Sequence, residues 1–300
     1  MRIKVWASAL IALVLSGCAN FKAVGDFGTE TQRMASTVHS EVSALQSLCK
    51  QNASFIVAVY NVPDDAKRHP AKRCESYRRT FGELAAVTAD TINDYGKALT
   101  ALANDQSFDL SNDVKSTTSK LGAIKDADGN AFVSAEQIGV IAKVLDLLAE
   151  VWAKGQREQG IKRLIEAKPY LVANAQIMRS FFVTDPSKPT ALASPYDDIV
   201  GIATDRYKDL VDTLNDPDFR AKEPIRTQEL RIAVQPIGDD LIVRRPGPSG
   251  MGAKVAATID DWIKALDTFE RDALKPDPKA LYEQLKALRE KVIDLRVALR

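Results

Sequence analysis

The stretch LYEQLKALREKVIDLRVAL, residues 281–299, places Leu281, Leu285, Leu288, Val292, Leu295 and Leu299 at alternating steps of four and three. That is an apolar heptad seam held for almost three heptads, the signature of a helix packed along its length against others. Working outward, Pro276 and Pro278 precede it. Before them Val255, Ile259, Trp262, Leu266 and Phe269 repeat the same spacing. Two amphipathic helices joined by a short break form an antiparallel hairpin, residues 253–300.

The N-terminal half repeats the theme. Met34, Val38, Val42, Leu45, Cys49, Asn52, Ile56 and Val59 predict a helix from about Thr29 to Tyr60. Asn61-Val62-Pro63-Asp64-Asp65 breaks it. Tyr77, Phe81, Leu84, Thr88, Ile92, Tyr95, Leu99 and Leu102 then mark a second stripe. Residues 29–104 therefore read as a helical hairpin. Residues 105–215 read as further helices of the same bundle. A short one ends near Ile124, and Ser134 with Gln137 forms a capping box before the next. That next helix carries Ile138, Ile141, Leu145, Leu148 and Trp152 inward, and its pattern weakens toward Ala167. Pro169 opens another, which ends at Phe182. Pro195 to Leu214 carries Ile199, Ile202, Tyr207, Leu210 and Leu214. Residues 216–252 differ. The branched runs Leu230 to Val234 and Leu241 to Val243 predict a small β-hairpin near 230–243, in competition with a helix across 227–234. The fold class is all-α, a bundle of long antiparallel helices with coiled-coil-like seams and this one hairpin as its exception.

The first residues have another purpose. Arg2 and Lys4 precede an apolar run from Val5 to Leu15, about eleven residues and too short to span a bilayer. Leu15, Ser16, Gly17 and Cys18 follow. This resembles the bacterial lipoprotein signal, whose lipobox is Leu-x-Gly-Cys with a small residue at x. The resemblance covers residues 1–18. It implies that 1–17 is a signal peptide and that Cys18 receives a diacylglyceryl group and becomes the acylated first residue. Several acyl chains, palmitate among the expected ones, anchor stably, because each buried methylene contributes about 0.8 kcal/mol. In Gram-negative lipoproteins an aspartate after the cysteine favours inner-membrane retention, so Ala19 points to the periplasmic face of the outer membrane. Residues 18–28, with two glycines and little periodicity, read as a tether.

Removing Arg2 and Lys4 moves the formal charge from +1 to about −1 over about 283 residues. A near-neutral body argues against nucleic acid as a partner. The membrane, through Cys18, and a protein of the envelope are the expected partners. Cys49 and Cys74 become the remaining thiols, and an oxidising periplasm favours a disulfide between them.

Chemical motifs are sparse. Residues 126–137, DADGNAFVSAEQ, resemble an EF-hand calcium loop. Asp126, Asp128 and Asn130 would stand first, third and fifth, Phe132 would offer its carbonyl, and Gln137 would close the loop. Ala131 replaces the turn glycine and Gln137 the bidentate glutamate, so weak Ca2+ binding competes with a simple helix-capping turn. Gly247 to Lys254 is near a phosphate-binding loop, but its lysine comes one residue late and Val255 replaces the Ser/Thr. The two histidines, His39 and His69, form no zinc-ligand pair. No catalytic constellation is legible. The expected function is that of a non-enzymatic interaction or scaffold module. A calcium-responsive binding protein and an envelope hydrolase with a carboxylate pair are the alternatives.

Overall fold

The computed structural model describes residues 21–48, 76, 78–107, 114–126, 129–154, 157–184, 194–247, 249–275 and 277–299. Helix α1 covers residues 21–48. A π-helical turn, Arg78–Gly82, leads into α2, Glu83–Ala103. There follow α3 (Val114–Ala123), α4 (Ala135–Lys154), α5 (Arg157–Glu166) and α6 (Lys168–Phe182). Helices α7 (Pro195–Asn215), α8 (Pro217–Lys222) and α9 (Pro224–Arg244) come next. The last two are α10 (Met251–Asp272) and α11 (Lys279–Ala298). The fold is an all-α bundle, and the described residues contain no strand.

Helix α1 is the central element. Ala23, Val24, Phe27, Met34, Ala35, Val38, Val42, Leu45 and Leu48 are all buried. Its neighbours are fixed by pairs of side chains. Gln32 Nε2 donates to Thr100 Oγ1 at 2.9 Å, and His39 Nδ1 lies 3.0 Å from Asp90 Oδ1, so α2 runs antiparallel to α1. Phe27 stacks on Phe269 with ring centroids 4.3 Å apart, and Trp262 Nε1 donates to Thr31 Oγ1 at 2.9 Å, so α10 does too. Arg289 Nε donates to Glu30 at 2.7 Å and Arg296 Nε to Thr37 Oγ1 at 3.1 Å, so α11 runs parallel to α1. Helix α6 lies antiparallel to α10, with Lys168 at 2.7 Å from Asp267 and Arg179 at 2.8 Å from Asp260. The heptad residues Leu281, Leu285, Leu288, Val292 and Leu295 are all inward, as are Val255, Ile259, Trp262, Leu266 and Phe269 of α10.

Three expectations need correction. The proposed tether, 18–28, is helical from residue 21, and Ala23, Val24 and Phe27 are core residues. Its glycines misled the reading: Gly25 and Gly28 serve close packing rather than flexibility. Second, the hairpin near 230–243 is absent, and those residues belong to α9. Val234, Ile237 and Leu241 recur at three and four residues and are buried, which orients the helix despite Pro236 within it. Branched residues on the other faces masked that period. Third, Trp152 does not join the α4 stripe. Ile141, Val144, Leu145, Leu148 and Val151 fill the interface, leaving Trp152 59% exposed near the helix end. Cys49 and Cys74 lie outside the described residues, as do residues 15–18 of the lipobox.

Candidate functional site

Helices α7, α8 and α9 form an arm built onto the bundle. Its base belongs to the main core through Tyr196, Ile199, Val200, Ala203, Ile237 and Leu241. Its outer half has a small core of its own, Leu210, Leu214 and Val234, flanked by Tyr207, Phe219 and Leu230. Local sequence explains the turns. Ser194 caps α7 by accepting from the Asp197 N–H at 3.1 Å, and Pro195 occupies the first turn. Asp216 Oδ1 accepts from the Asp218 and Phe219 amides at 2.8 and 2.9 Å, starting α8. Arg231 returns from α9 to donate to the Leu214 carbonyl at 3.0 Å and to Asn215 Oδ1 at 2.7 Å. A cation on the final carbonyls of α7 suits the negative end of that helix.

The base of the arm is fastened to α1 by a buried polar cluster. Arg244, the last residue of α9, donates from Nε to Glu41 Oε1 and from an Nη to Oε2, both at 3.0 Å. Tyr196, at the start of α7, donates its hydroxyl to Glu41 Oε1 at 2.9 Å. Asp240 contacts the remaining Nη of Arg244. Glu41 and Tyr196 are completely buried and Arg244 nearly so. Burial pushes the Glu41 carboxyl above its ordinary value, and Arg244 and Tyr196 oppose that rise. Burial also raises the Tyr196 hydroxyl, reinforced by the adjacent Glu41, so it remains a proton donor. This cluster joins positions 155 and 203 residues apart. Sequence reading missed it. No local pattern announces such a pairing.

At the arm's outer part, Ile225 and Ile232 of α9 are 75% and 68% exposed. They lie seven residues apart, on one face of the helix. A cleft of about 620 Å³ opens between α8 and α9, lined by residues that include Arg220, Thr227, Gln228 and Arg231.

The loop at 126–137 is closed by its own backbone. Lys125 and Ala131 form an antiparallel bridge, and Asp126 Oδ1 accepts from the Asn130 N–H at 2.8 Å. Gly129 takes the turn with φ +84°. Ser134 and Gln137 form the reciprocal capping box: the Gln137 amide donates to Ser134 Oγ at 3.2 Å and the Ser134 amide to Gln137 Oε1 at 3.0 Å. Phe132 meets the ring of Phe81 edge-on, centroids 4.6 Å apart. Asp128 lies outside the described residues. A calcium ion here would have to compete with these amides for Asp126 and Gln137. Among the described residues no group of three or more His, Cys, Asp or Glu is gathered to hold a metal. Ser134→Ala is expected to lower folding stability by about 1 kcal/mol through loss of the cap. Urea denaturation with and without calcium measures this, and a calcium-dependent midpoint in the unaltered protein would favour the metal.

Among the described residues the buried carboxylates each face a cation. Glu30 is held by Arg33 and Arg289, Glu41 by Arg244, Asp94 by Lys97 at 3.0 Å and Asp272 by Lys275 at 2.7 Å. The near-match to a phosphate loop starts α10: Gly250 is its N-cap, and the Lys254 amide donates to the Gly250 carbonyl at 3.2 Å. No protein-family model, curated protein or solved structure matches this chain.

Proposed function

We propose that the chain is a lipid-anchored, non-enzymatic interaction module of the bacterial cell envelope, held through acylated Cys18 and presenting the α7–α9 arm to a protein partner. The observation that carries the reading is the arm itself, with a core of its own, a buried fastening and large aliphatic side chains, Ile225 and Ile232 among them, left in solvent. The position of the arm supports it. Glu41 lies twenty residues along α1 from residue 21, so the base of the arm is about 30 Å from the anchored end. Ion-paired buried carboxylates favour a structural role for those groups over acid–base chemistry.

The test is crosslinking in cells from photoreactive residues at Ile225 and Ile232, with a secreted Cys18→Ala form beside it. A discrete adduct formed by the anchored protein, and lost in Ile225→Asp/Ile232→Asp protein of unchanged stability, is the expected result. Absence of adducts from both positions would sink the arm as the contact.

A further inference from the structure

Aromatic, aliphatic and cationic side chains meet at the end of the bundle that carries residue 21. The Arg157 guanidinium lies 3.7 Å from the centroid of the Phe21 ring and reaches the Ala103 carbonyl. Arg157 also lines a cleft of about 270 Å³ with Val151 and Trp152. Trp152 therefore shares this cleft with the side chain that packs on Phe21 at the start of α1, and among the described aromatic residues it alone is exposed, at 59%. Leu274, just beyond α10, is 41% exposed at the same end, where Phe269 of α10 stacks on Phe27. Lys22 of α1 sits over the ring of Tyr282, in the first turns of α11, at 5.4 Å.

The geometry points to a membrane-contacting face: we propose that Trp152, with Phe21 and Arg157 beside it, rests in the interfacial layer of the bilayer in which Cys18 is anchored. The proposal rests on the lipid-anchor reading. Two residues separate Cys18 from Phe21, and the three chain steps between them span at most about 11 Å. The interfacial layer entered by peripheral anchors is about 5–10 Å deep. An acylated Cys18 thus holds this end of the bundle against the headgroups. Tryptophan is the side chain suited to that layer, an apolar body with one polar N–H. Charge is not what drives the contact. Lys22 is paired with Asp26 at 3.0 Å, Lys275 with Asp272 at 2.7 Å and Lys279 with Asp277 at 3.3 Å, and Arg157 is engaged by the Phe21 ring and the Ala103 carbonyl. The occupant is therefore a phospholipid interface of ordinary composition, with no requirement for an anionic headgroup.

The sequence contains three tryptophans, and Trp6 leaves with the signal peptide. Trp262 is fully buried, which leaves Trp152 as the exposed fluorophore of the mature chain. The full lipoprotein, extracted from membranes and checked by mass for acyl groups on Cys18, is reconstituted into phosphatidylethanolamine–phosphatidylglycerol vesicles with and without brominated acyl chains. Emission of the unaltered protein minus that of Trp152→Phe isolates Trp152. The expected result is a loss of about half or more of this difference signal in brominated vesicles, with a blue shift and protection from aqueous iodide, and no change on varying the phosphatidylglycerol fraction. Acylated, vesicle-bound protein whose difference signal is untouched by bromine and open to iodide would overturn the face while leaving the anchor intact. A Cys18 without acyl groups, on protein that does not float with vesicles, would remove both. Non-acylated protein that floats with Trp152 quenched would keep the face and remove the anchor.

Discussion

Arg244→Met is expected to cost about 3–5 kcal/mol of folding stability, because it leaves the Glu41 carboxylate buried without its cation. The side chain of Glu41 has no exposure to solvent, and Arg244 supplies two of the three hydrogen bonds described for it. Methionine fills most of the arginine's volume, so cavity formation contributes little and the loss reports the charge. Urea denaturation at pH 8 measures it. A Glu41→Gln/Arg244→Met pair is expected to recover much of the loss, since glutamine can still accept from Tyr196 and no ionised group remains inside. A double variant as unstable as the single one would mean that packing, not charge, is what Arg244 contributes.

The pH dependence has a definite sign. Burial already lifts the Glu41 carboxyl above its ordinary 4.5, against the pull of Arg244 and Tyr196. Removing Arg244 lifts it further. The folded variant then binds a proton at a pH where the unfolded chain does not, so stability falls as pH rises through that window. The destabilisation is fully present above the folded pKa and relieved below the unfolded one. The deficit of Arg244→Met against the unaltered protein is therefore expected to shrink as the buffer is moved from pH 8 toward pH 5. Hydrogen exchange at pH 8 should rise first in α9, whose end is held by this contact, before the α10–α11 hairpin opens. Loss of protection everywhere at once would mean that the arm and bundle unfold as one unit.

The seams were legible because each is a local repeat. Leu281 to Leu295 and Val255 to Phe269 carry their partners' geometry in their own spacing, and so does the capping box of Ser134 and Gln137. The arm was not. Helix α9 has apolar residues on several faces, with Ile232 and Ile242 exposed and Val234 and Leu241 buried, so periodicity could not tell helix from strand. Trp152 satisfied the α4 spacing but sits where the bundle ends, a boundary that no helical period records. The Glu41 cluster is legible only in three dimensions, because it is assembled from the middle of one helix and the ends of two others. Residues 25–28 failed for a further reason: glycine signals a loop when read alone and a close helix crossing when its partner is known.

That crossing carries the second large effect. Gly28→Ala is expected to lower stability by about 1–3 kcal/mol, although alanine is the better helix former by about 1 kcal/mol. A methyl group on Gly28 would stand 2.6 Å from the Gly96 carbonyl oxygen, 2.6 Å from Thr100 Oγ1 and 2.9 Å from the Thr100 nitrogen. Two of these are backbone atoms of α2, which cannot turn aside as a flexible side chain would. The same holds in reverse, since a methyl on Gly96 would meet the Gly28 carbonyl at 2.7 Å. The two helices would have to separate, weakening the Gln32 to Thr100 bond and loosening Phe27 from Phe269 beside it. Gly139 of α4 is the internal control, because nothing lies within 4 Å of its added carbon. Gly139→Ala should stabilise by about 0.5–1 kcal/mol through helix propensity alone. Opposite signs at two helical glycines, read from urea midpoints, would separate contact from propensity. Stabilisation at both would mean that α1 and α2 approach less closely than their backbones do here, and the bundle would lose the contact that fixes the N-terminal end of α1.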